Sequence, residues 1–415
     1  MSKISLRPCP ICTQRQVEEL HTQRFEIPAN SPLPAVYDIV ACAECGMVFA
    51  ETPVAQDGYD RYYSQSSKYE DPAVATGGGA SDWDRRRLTD LADLLESRVP
   101  KDSRVLDVGC AGGGLLAALH ERGFRRLRGT DAAAVCVEQV TALGIAASCL
   151  ALSNLSSLRH AGTFDLIVMS HVLEHVVDVR RLIEDAASLA APHGLLYVET
   201  PDAEHYSDHA HVPFYFFDAE HINHFDTRHL SILGKTASLA PEGDGARTLQ
   251  IAPGKTYPAC YVWLRNAGPV EVGRHSPADR WLRTCVEEYV RHCQENESFP
   301  QLASIASSGA SVVVWGAGSF AQRLFGNGDL ADCNIVAIVD RDRNKQGRPF
   351  DRFTVEAPET GLRQHPGATV LVVAAIQEAE IVLEARRICG EEGRIVTLTS
   401  GRSTDRPVGR LTPTK

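Results

Sequence analysis

Residues 103–123, SRVLDVGCAGGGLLAALHERG, combine an apolar strand, a glycine-rich turn and the start of an apolar helix. Gly109 and Gly113 allow the backbone to turn sharply and leave space for a ligand beside it. A second, shorter strand, RLRGTD, ends at Asp131, 22 residues after Gly109. An acid in this position can bind both hydroxyls of a ribose, so the stretch predicts an α/β unit that binds a nucleoside.

Strands and helices continue to alternate on both sides of this stretch. Upstream, Ser81 and Asp84 predict a helix that begins with a capping box. Downstream, short apolar strands at residues 166–169 and 195–199 flank an amphipathic helix. Such alternation predicts a parallel sheet, and the predicted fold class is therefore α/β.

Four motifs in this region, DVGCAGGG, GTD, FDLIVMSHVLEH and APHGLLYVETPD, resemble those of class I S-adenosylmethionine methyltransferases in order and spacing. The resemblance implies a Rossmann-like sheet with S-adenosylmethionine as the cofactor. Ala111 stands where this family usually has the central glycine of its GxGxG turn. The residues that the resemblance implies for cofactor binding are Asp107, Gly109, Ala111, Gly113, Asp131 and His171.

Two CxxC pairs near the start of the chain set four of its 12 cysteines apart from the others. The pairs consist of Cys9, Cys12, Cys42 and Cys45. Two such knuckles supply four thiolates for a tetrahedral zinc ion, and we expect a structural ion that folds a small module. A redox dithiol and a nucleic-acid zinc finger are alternatives, although no excess of Lys or Arg surrounds the pairs.

A second glycine turn occurs in residues 311–325, SVVVWGAGSFAQRLF. Gly316, Gly318 and Ala321 form the pattern GxGxxA after a predicted strand, and Asp340 ends the next strand. This fingerprint is typical of dinucleotide-binding units and by itself favours NAD. The segment is short for a dehydrogenase domain and no hydride-transfer site follows it, so an NAD-dependent oxidoreductase is only an alternative.

A chain of 415 residues predicts two or three domains. Residues 240–255 are rich in loop-forming residues, and Ser276 is the predicted cap of a bridging helix that follows. The predicted boundaries give a zinc module at 1–68, a methyltransferase core at 69–240, a linker with the bridging helix at 241–298, and a C-terminal Rossmann-like domain at 299–415.

The formal net charge of −11 argues against nucleic acid as a partner, because phosphate binding requires a basic surface. No apolar run approaches the roughly 18 residues of a membrane span, and the N-terminus has no apolar region of signal-peptide type. We therefore expect a monomeric, cytoplasmic protein that acts on a small molecule, with neither nucleic acid nor membrane as a partner.

The order of a double CxxC module, a methyltransferase core and a C-terminal VWGAGS unit resembles the three-domain sugar C-methyltransferases. Enzymes of this family methylate a carbon of nucleotide-linked keto-deoxysugars. The resemblance implies that the zinc is structural and that its module helps to roof the substrate site. It also implies that the C-terminal domain helps to hold the nucleotide sugar and uses no NAD.

The stretch FDAEHINHFDTRHL, residues 217–230, carries the catalytic pair that this resemblance implies. Methylation of a carbon beside a ketone requires a base and a group that stabilises the enolate. His221 is the predicted base, and Glu220 is its orienting or enolate-site partner. His175 and Tyr69 are further catalytic candidates.

One position departs from the family pattern, since Asp218 stands where a tyrosine is usual, two residues before the Glu-His pair. Methyl transfer to an oxygen or nitrogen of a sugar or related metabolite needs less basic assistance and is therefore an alternative. A module that binds nucleotide sugars without activity is another. Tyr63 could supply a phenol in place of Tyr69.

The abundance of histidine leaves a metal site as a further alternative for this region. The histidines concerned are His205, His209, His211, His221 and His224. Their spacings, HxH and HxxH, match no established zinc pattern. We expect His224 and His229 to be surface residues at the start of a helix.

Overall fold

The computed structural model describes residues 2–28, 30–65, 77–268 and 280–399. Tyr69 and Ser276, proposed from the sequence as a catalytic phenol and a helix cap, lie outside the described residues. The described chain forms three sheets of five, seven and six strands. Within these ranges, every helix is too short or too polar to traverse a lipid bilayer.

The strands are β1 (Ser2–Ile4), β2 (Gln16–Arg24), β3 (Val36–Cys42), β4 (Val48–Ala50), β5 (Arg104–Val108), β6 (Arg126–Asp131), β7 (Ala146–Cys149), β8 (Phe164–Ser170), β9 (Ala190–Pro201), β10 (Asn223–His224), β11 (Leu239–Ala252), β12 (Lys255–Asn266), β13 (Ser311–Trp315), β14 (Asn334–Val339), β15 (Pro349–Phe350), β16 (Phe353–Glu356), β17 (Thr369–Val372) and β18 (Ile395–Thr397). The α-helices are α1 (Gln56–Gln65), α2 (Asp82–Glu96), α3 (Gly114–Glu121), α4 (Ala134–Ala142), α5 (Val179–Leu189), α6 (Thr227–Thr236), α7 (Trp281–Asn296), α8 (Pro300–Ser308), α9 (Ser319–Asn327), α10 (Pro358–Gln364) and α11 (Glu378–Cys389).

The N-terminal sheet is antiparallel, in the order β1-β2-β3-β4-β10. Its last strand comes from a distant part of the sequence, because Asn223 and His224 pair with β4. The buried guanidinium of Arg7 reinforces this pairing, since its Nη2 donates to Ile222 O at 2.7 Å and to Asn223 Oδ1 at 2.8 Å. The N-terminal sheet therefore holds the segment that begins at His221.

The central sheet has the order β11-β12-β9-β8-β5-β6-β7. Strands β9, β8, β5, β6 and β7 are parallel, whereas β11 and β12 are antiparallel. Apolar clusters cover both faces of the parallel part, which explains the apolar runs in β5 and β8. The α/β prediction is confirmed, with a Rossmann-like sheet that is mixed rather than purely parallel.

The prediction of a loop-rich segment at residues 240–255 is wrong. Nearly all of it forms the hairpin of β11 and β12, and only Pro253 and Gly254 form the turn between them. Most residues of β11 are at least partly exposed at the edge of the sheet. An exposed edge strand has no need of the apolar alternation by which strands are recognised in a sequence.

The third sheet has the order β15-β16-β14-β13-β17-β18 and is parallel except for β15. Separate apolar clusters pack on its two faces. This unit is a second Rossmann-like α/β fold. Its glycine turn, between β13 and α9, faces the segment that carries Asp218 and His221.

Candidate active site

The glycine turn after β5 has the shape expected for a cofactor turn. Gly109 and Gly113 have φ values of 72° and 81°, and a Cβ at Gly109 would lie 2.9 Å from Val172 Cγ2. Ala111 has a φ of 44° and so adopts the left-handed conformation at a steric cost that glycine would avoid. Its N–H donates to Asp131 Oδ2 at 3.0 Å. The turn thus keeps its shape although alanine replaces the usual glycine.

A second glycine-rich loop, before α2, packs against this turn. Ser81 caps α2 as predicted, since its Oγ accepts from Asp84 N at 3.1 Å. The Asp84 carboxylate does not complete the predicted capping box, because its Oδ2 accepts from Gly77 N and Gly79 N, each at 2.8 Å. Gly77 O in turn accepts from Gly114 N at 3.0 Å. Asp84 therefore anchors a loop beside the cofactor turn.

Two carboxylates, the buried Asp107 and the half-buried Asp131, lie at this site. Burial raises the pKa of Asp107 to about 7, and the neighbouring Asp131 contributes to the rise. Burial also raises the pKa of Asp131, although the N–H groups of Ala133 and Ala111 oppose it. Two neighbouring acids at one site favour a ligand that carries positive charge.

His171, a predicted cofactor residue, follows β8 with a φ of 56°. Its N–H donates to Glu199 O at 2.8 Å, and its Nε2 lies 3.6 Å from Glu199 Oε1. Burial would raise the pKa of Glu199, but His171 and Arg247 lower it, and Arg247 Nη1 donates to Glu199 Oε2 at 2.7 Å. Sequence reasoning missed Arg247 because this residue lies in β11, the strand that resembled a loop.

Glu174 is a second buried carboxylate of the site and was also missed. Its side chain is 1% exposed, and it forms a hydrogen bond of 3.2 Å with His171 Nδ1. His175 Nε2 lies 3.8 Å from Glu174 Oε1. Burial alone would raise the pKa of Glu174, but the hydrogen bond from His171 and the charges of His175 and His221 lower it to about 2. Glu174 could have been found from the sequence, because it lies between the two histidines of the motif SHVLEH.

Two tyrosines of α1 complete a polar network around Glu220. Tyr62 donates to Glu220 Oε1 at 2.7 Å, and Tyr63 OH lies 3.2 Å from Glu220 Oε2. Tyr63 OH also shares a hydrogen bond of 2.8 Å with His175 Nδ1. The structure thus brings His175, Glu220 and Tyr63 together.

His221 lies at the inner end of this network. Its ring stands edge-on to that of His175, with a centroid distance of 4.8 Å. Burial and the like charge of His175 lower the pKa of His221 to about 4, although Asp218, Glu174 and Glu220 oppose this. Its Nδ1 is buried and has no hydrogen-bond partner among the described residues. The imidazole is therefore neutral at neutral pH.

A cavity of about 320 Å³ lies between this segment and the glycine turn of the third sheet. Ser319 Oγ donates to Asp218 Oδ2 at 2.5 Å across the boundary between the two parts. Of the predicted catalytic residues within the described ranges, His221 lines the cavity. The polar and aromatic residues that share this lining are Tyr215, Asp218, Tyr257, Trp315, Ser319, Phe320, Arg323, Asp340, Arg341, Lys345 and Gln377.

Arg323 is the most unusual residue of this cavity. It is 4% exposed, yet its Nε and Nη1 have no hydrogen-bond partner within the described part of the chain. Arg341 and Lys345 line the same cavity. A buried guanidinium with open donors suits an anionic group such as a phosphate.

The four cysteines of the CxxC pairs converge on one point, as a metal site requires. The Sγ atoms of Cys9 and Cys45 are 3.6 Å apart, and those of Cys12 and Cys42 are 3.4 Å apart. All four sulfurs lie within 4.8 Å of one another. Four thiolates at zinc bond lengths of about 2.3 Å form a set of this size, so the donors fit a tetrahedral zinc ion.

The prediction that His224 and His229 are surface residues is wrong, because both are fully buried. His224 Nδ1 shares a hydrogen bond of 3.2 Å with Tyr206 OH. His229 Nδ1 bonds to Asp226 Oδ1 at 2.7 Å, and its Nε2 bonds to Cys45 O at 3.0 Å. Both positions are covered by contacts with distant residues, which the local sequence does not reveal.

The five histidines of the metal alternative do not form one cluster. His205 pairs with Asp202 at 2.8 Å, whereas His209 and His211 bond to the side chain and carbonyl of Thr256, each at 2.8 Å. Each of these three imidazoles therefore bonds to a different group of the protein. Among the described residues, the metal-like groups outside the cysteines are Glu174 with His175 and His221, and Asp202 with Glu204 and His205.

Residues 82–240 match a family described as a methyltransferase domain. The chain is 34% identical over 115 residues to a ubiquinone biosynthesis O-methyltransferase of Parvibaculum lavamentivorans, which covers 26% of this chain and 44% of that protein. It is 33% identical over 132 residues to the protein of the same description from Xanthomonas axonopodis pv. citri, covering 28% and 48% respectively. The chain thus spans less than half the length of these curated relatives.

Solved methyltransferase structures resemble the chain more distantly. One is magnesium protoporphyrin IX methyltransferase from Synechocystis PCC 6803 with bound SAM, at 13% identity and a TM-score of 0.38, covering 51% of this chain and 96% of that one. Another is 1,6-didemethyltoxoflavin-N1-methyltransferase from Burkholderia thailandensis with S-adenosylhomocysteine, at 15% identity and a TM-score of 0.38, covering 58% and 97%. TM-scores of this size say nothing about the site.

Proposed function

From the premise that the chain contains a class I S-adenosylmethionine-dependent methyltransferase domain, we propose that it methylates a carbon of a nucleotide-linked keto-deoxysugar. The observation that carries this proposal is that His221 and Arg323 line the same cavity. Arg323 offers buried donors for a diphosphate, and His221 offers a neutral imidazole to the sugar. A diphosphate bound by Arg323 would thus place the sugar of the same ligand in a cavity that also contains the base.

S-adenosylmethionine is the proposed methyl donor, bound at the turn after β5. Asp131 would accept the ribose hydroxyls, and Gly109, Ala111 and Gly113 would let the cofactor approach the backbone. The acidic surroundings, where burial raises the pKa of Asp107, favour the cationic sulfonium and ammonium groups of this cofactor. When bound, the cofactor supplies the methyl group.

His221 is the proposed base, because it is neutral at neutral pH and lines the cavity. It would take a proton from the carbon beside the ketone and leave an enolate. The enolate carbon would then accept the methyl group that bound S-adenosylmethionine supplies, and the electrons of the broken carbon–sulfur bond would stay on sulfur. The negative enolate would raise the pKa of the adjacent imidazole as the proton moves.

Glu220, His175 and Tyr63 form the proposed proton-handling network behind His221. Tyr63 OH lies 2.8 Å from His175 Nδ1 and 3.2 Å from Glu220 Oε2, so a proton can pass between these groups. In this proposal the phenol is that of Tyr63, which the sequence offered as the alternative to Tyr69. The N-terminal part, which carries Tyr63, would help to roof the site.

We also propose a structural zinc ion on Cys9, Cys12, Cys42 and Cys45. The four sulfurs are within 4.8 Å of one another, and three of the four cysteines are buried. The proposed ion would brace the N-terminal sheet, which includes β10 and therefore supports His221. The proposal also keeps the predicted domain boundaries, which follow residues 68, 240 and 298.

A second candidate is methyl transfer to an oxygen of a sugar or related metabolite. The curated relatives that match part of the chain are named O-methyltransferases. Asp218, which lines the cavity where the sugar C-methyltransferases have a tyrosine, also favours a different acceptor. A hydroxyl needs less help to lose its proton than a carbon, and an imidazole could assist it equally well.

The test is a methylation assay with methyl-labelled S-adenosylmethionine across nucleotide keto-sugars, with product structures determined by NMR. A new carbon–carbon bond beside the keto group is the expected result. A methyl ether in the product would replace the first proposal by the second. If no nucleotide sugar is methylated but another metabolite is, the nucleotide-sugar proposal is rejected.

A further inference from the structure

Three groups that can bind a metal ion meet beside the cavity. They are the Glu174 carboxylate and the imidazoles of His175 and His221, and one ligand atom from each lies within 4.8 Å of the other two. His175 Nε2 is 3.8 Å from Glu174 Oε1, and the rings of His175 and His221 stand edge-on with a centroid distance of 4.8 Å. Two histidines and a glutamate are the three protein ligands of one class of zinc site.

Two of these groups present buried atoms that the protein leaves unbonded. The side chain of Glu174 is 1% exposed, and its Oε2 has no hydrogen-bond partner among the described residues. His221 Nδ1 is buried and likewise has no partner in the part of the chain that the structure describes. Buried polar atoms are costly to leave unpaired, so a carboxylate oxygen and an imidazole nitrogen in this position suit a ligand that accepts lone pairs.

The hydrogen bonds of His175 leave its Nε2 available to bind an ion. Its Nδ1 lies 3.1 Å from the carbonyl oxygen of Glu220, which can only accept, so Nδ1 carries the proton of the neutral ring. Tyr63 OH lies 2.8 Å from the same nitrogen. Nε2 therefore presents its lone pair on the side of Glu174. Metal-bound histidines are oriented in this way, with the other ring nitrogen donating to a carbonyl or a carboxylate.

We propose that Glu174, His175 and His221 form a second metal site, which takes up a divalent transition ion such as Zn²⁺ and thereby blocks the catalytic base. Two imidazoles and one carboxylate favour zinc, cobalt or nickel over Mg²⁺ and Ca²⁺, which prefer oxygen ligands. Binding of the ion follows from the geometry of the three side chains, whereas its effect on turnover rests on the proposed function.

The ring of His221 explains why such an ion blocks the base. In a neutral imidazole, one nitrogen carries the proton and the other accepts. His221 Nδ1 is buried, so Nε2 is the nitrogen that a substrate in the cavity can reach. An ion bound through Nδ1 fixes the ring proton on Nε2, which then has no lone pair with which to accept a proton from the sugar. The ion therefore prevents deprotonation without occupying the cofactor turn.

The second site differs from the cysteine site in its ligands. The four cysteines supply four thiolates and leave no position open, whereas the second site supplies one carboxylate and two neutral nitrogens. Its fourth position remains for water. We therefore expect the second ion to bind more weakly than the first, so that it is lost during purification and returns when metal is added.

The test is a titration of the zinc-loaded full chain with Co²⁺, followed by absorption spectroscopy and calorimetry. Cobalt bound by nitrogen and oxygen lacks the intense thiolate-to-metal band of a cysteine site, so the spectrum identifies the site that is filled. We expect one equivalent of cobalt without that band. Glu174→Gln and His221→Asn should each weaken its binding by at least about 100-fold, the upper end of what the loss of an outer partner costs.

His205→Asn is the matched control, because it disrupts the other group of carboxylates and histidine, which includes Asp202 and Glu204. This variant should bind cobalt as the native chain does. Circular dichroism checks that Glu174→Gln and His221→Asn retain the fold. The inference is overturned if no cobalt binds outside the cysteine site, if binding survives in both variants, or if it is lost in His205→Asn instead.

The methylation assay separates failure of this inference from failure of the proposed function. Zn²⁺ at concentrations that fill the second site should lower turnover by about 10²–10⁴-fold, the contribution expected of a positioned base. Dialysis against a weak chelator should restore it. If the ion binds at Glu174 and His221 but turnover is unchanged, the metal site stands, while the block and the assignment of His221 as the base are both rejected.

Discussion

Ser319 Oγ donates to Asp218 Oδ2 at 2.5 Å and so joins the third sheet to the segment that carries His221. The backbone carbonyl of Asp218 is held as well, by Tyr37 OH at 2.5 Å from the N-terminal sheet. Asp218 thus connects the segment that carries His221 to both the N-terminal sheet and the third sheet. This is the position where the chain departs from the tyrosine of the sugar C-methyltransferases.

Ser319→Ala should therefore affect the nucleotide-sugar end of the site and not the cofactor end. Without its donor, Asp218 loses a hydrogen bond to a charged group, and we expect KM for the nucleotide sugar to rise about tenfold. Affinity for S-adenosylmethionine should be unchanged. Steady-state kinetics and calorimetry measure the two quantities, with Ser307→Ala in α8 as the control. An equal loss of cofactor affinity would contradict this separation.

Asp131→Ala should weaken binding of S-adenosylmethionine. The lost hydrogen bonds from the ribose to a charged acceptor are worth about 1.5–3 kcal/mol, or roughly a 10- to 150-fold rise in Kd. Calorimetry measures the affinity. Asp340→Ala is the matched control, because it removes the equivalent carboxylate of the other turn and should leave cofactor affinity as it is. Unchanged affinity in Asp131→Ala would exclude the turn after β5 as the cofactor site.

One zinc ion per chain is expected in protein prepared without chelators, as measured by elemental analysis. Cys42→Ser should remove the ion and unfold the N-terminal sheet, which lowers solubility before any chemical step changes. Cys149→Ser, at an exposed cysteine outside the pairs, should retain the metal. Metal-free protein with a folded N-terminal sheet would refute the zinc proposal.

His221→Asn should bind cofactor and nucleotide sugar normally but lose turnover by about 10²–10⁴-fold, the contribution expected of a positioned base. It should also lose exchange of the sugar α-proton with deuterated solvent, which NMR detects. His205→Asn, at a half-exposed histidine paired with Asp202, is the control. Normal turnover in His221→Asn with an inactive His175→Asn or Tyr63→Phe would place the base in the network behind it.

The pKa of His221 predicts how this residue responds to pH. Burial and the charge of His175 lower the pKa from 6.5 to about 4, so His221 stays neutral in the folded protein where the unfolded chain would be protonated. Its contribution to stability is complete above pH 6.5 and is lost as the pH falls through about 4. NMR of labelled histidine should therefore give a titration midpoint below pH 5 for His221. A midpoint near 6.5 would show that the imidazole is not buried as described.

In His175→Asn, the midpoint of His221 should rise, because a like charge next to it has been removed. It should remain below 6.5, since burial is the larger cause of the shift. His120→Asn, at an exposed histidine in α3, should leave the midpoint where it is. No change in His175→Asn would mean that the two imidazoles are not coupled.

The sequence by itself determined those features that depend on neighbouring residues. The strand, glycine turn, helix and acid from 104 to 131 form as predicted, because the φ values that Gly109 and Gly113 adopt are local requirements. The two CxxC pairs likewise indicated that their four sulfurs lie close together, since two knuckles of this kind can share one ion. The second glycine turn was also recognisable from local residues alone.

The tertiary structure alone decided which residues meet at the site. Arg247 reaches Glu199 from an edge strand whose polar composition resembles a loop. His229 is buried by Asp226 and the carbonyl of Cys45, 184 residues away. Arg323 lines the cavity that His221 lines, although about a hundred residues separate them, because the third sheet packs against the segment held by β4. Burial and pKa arise from such long-range packing, which no local pattern of residues encodes.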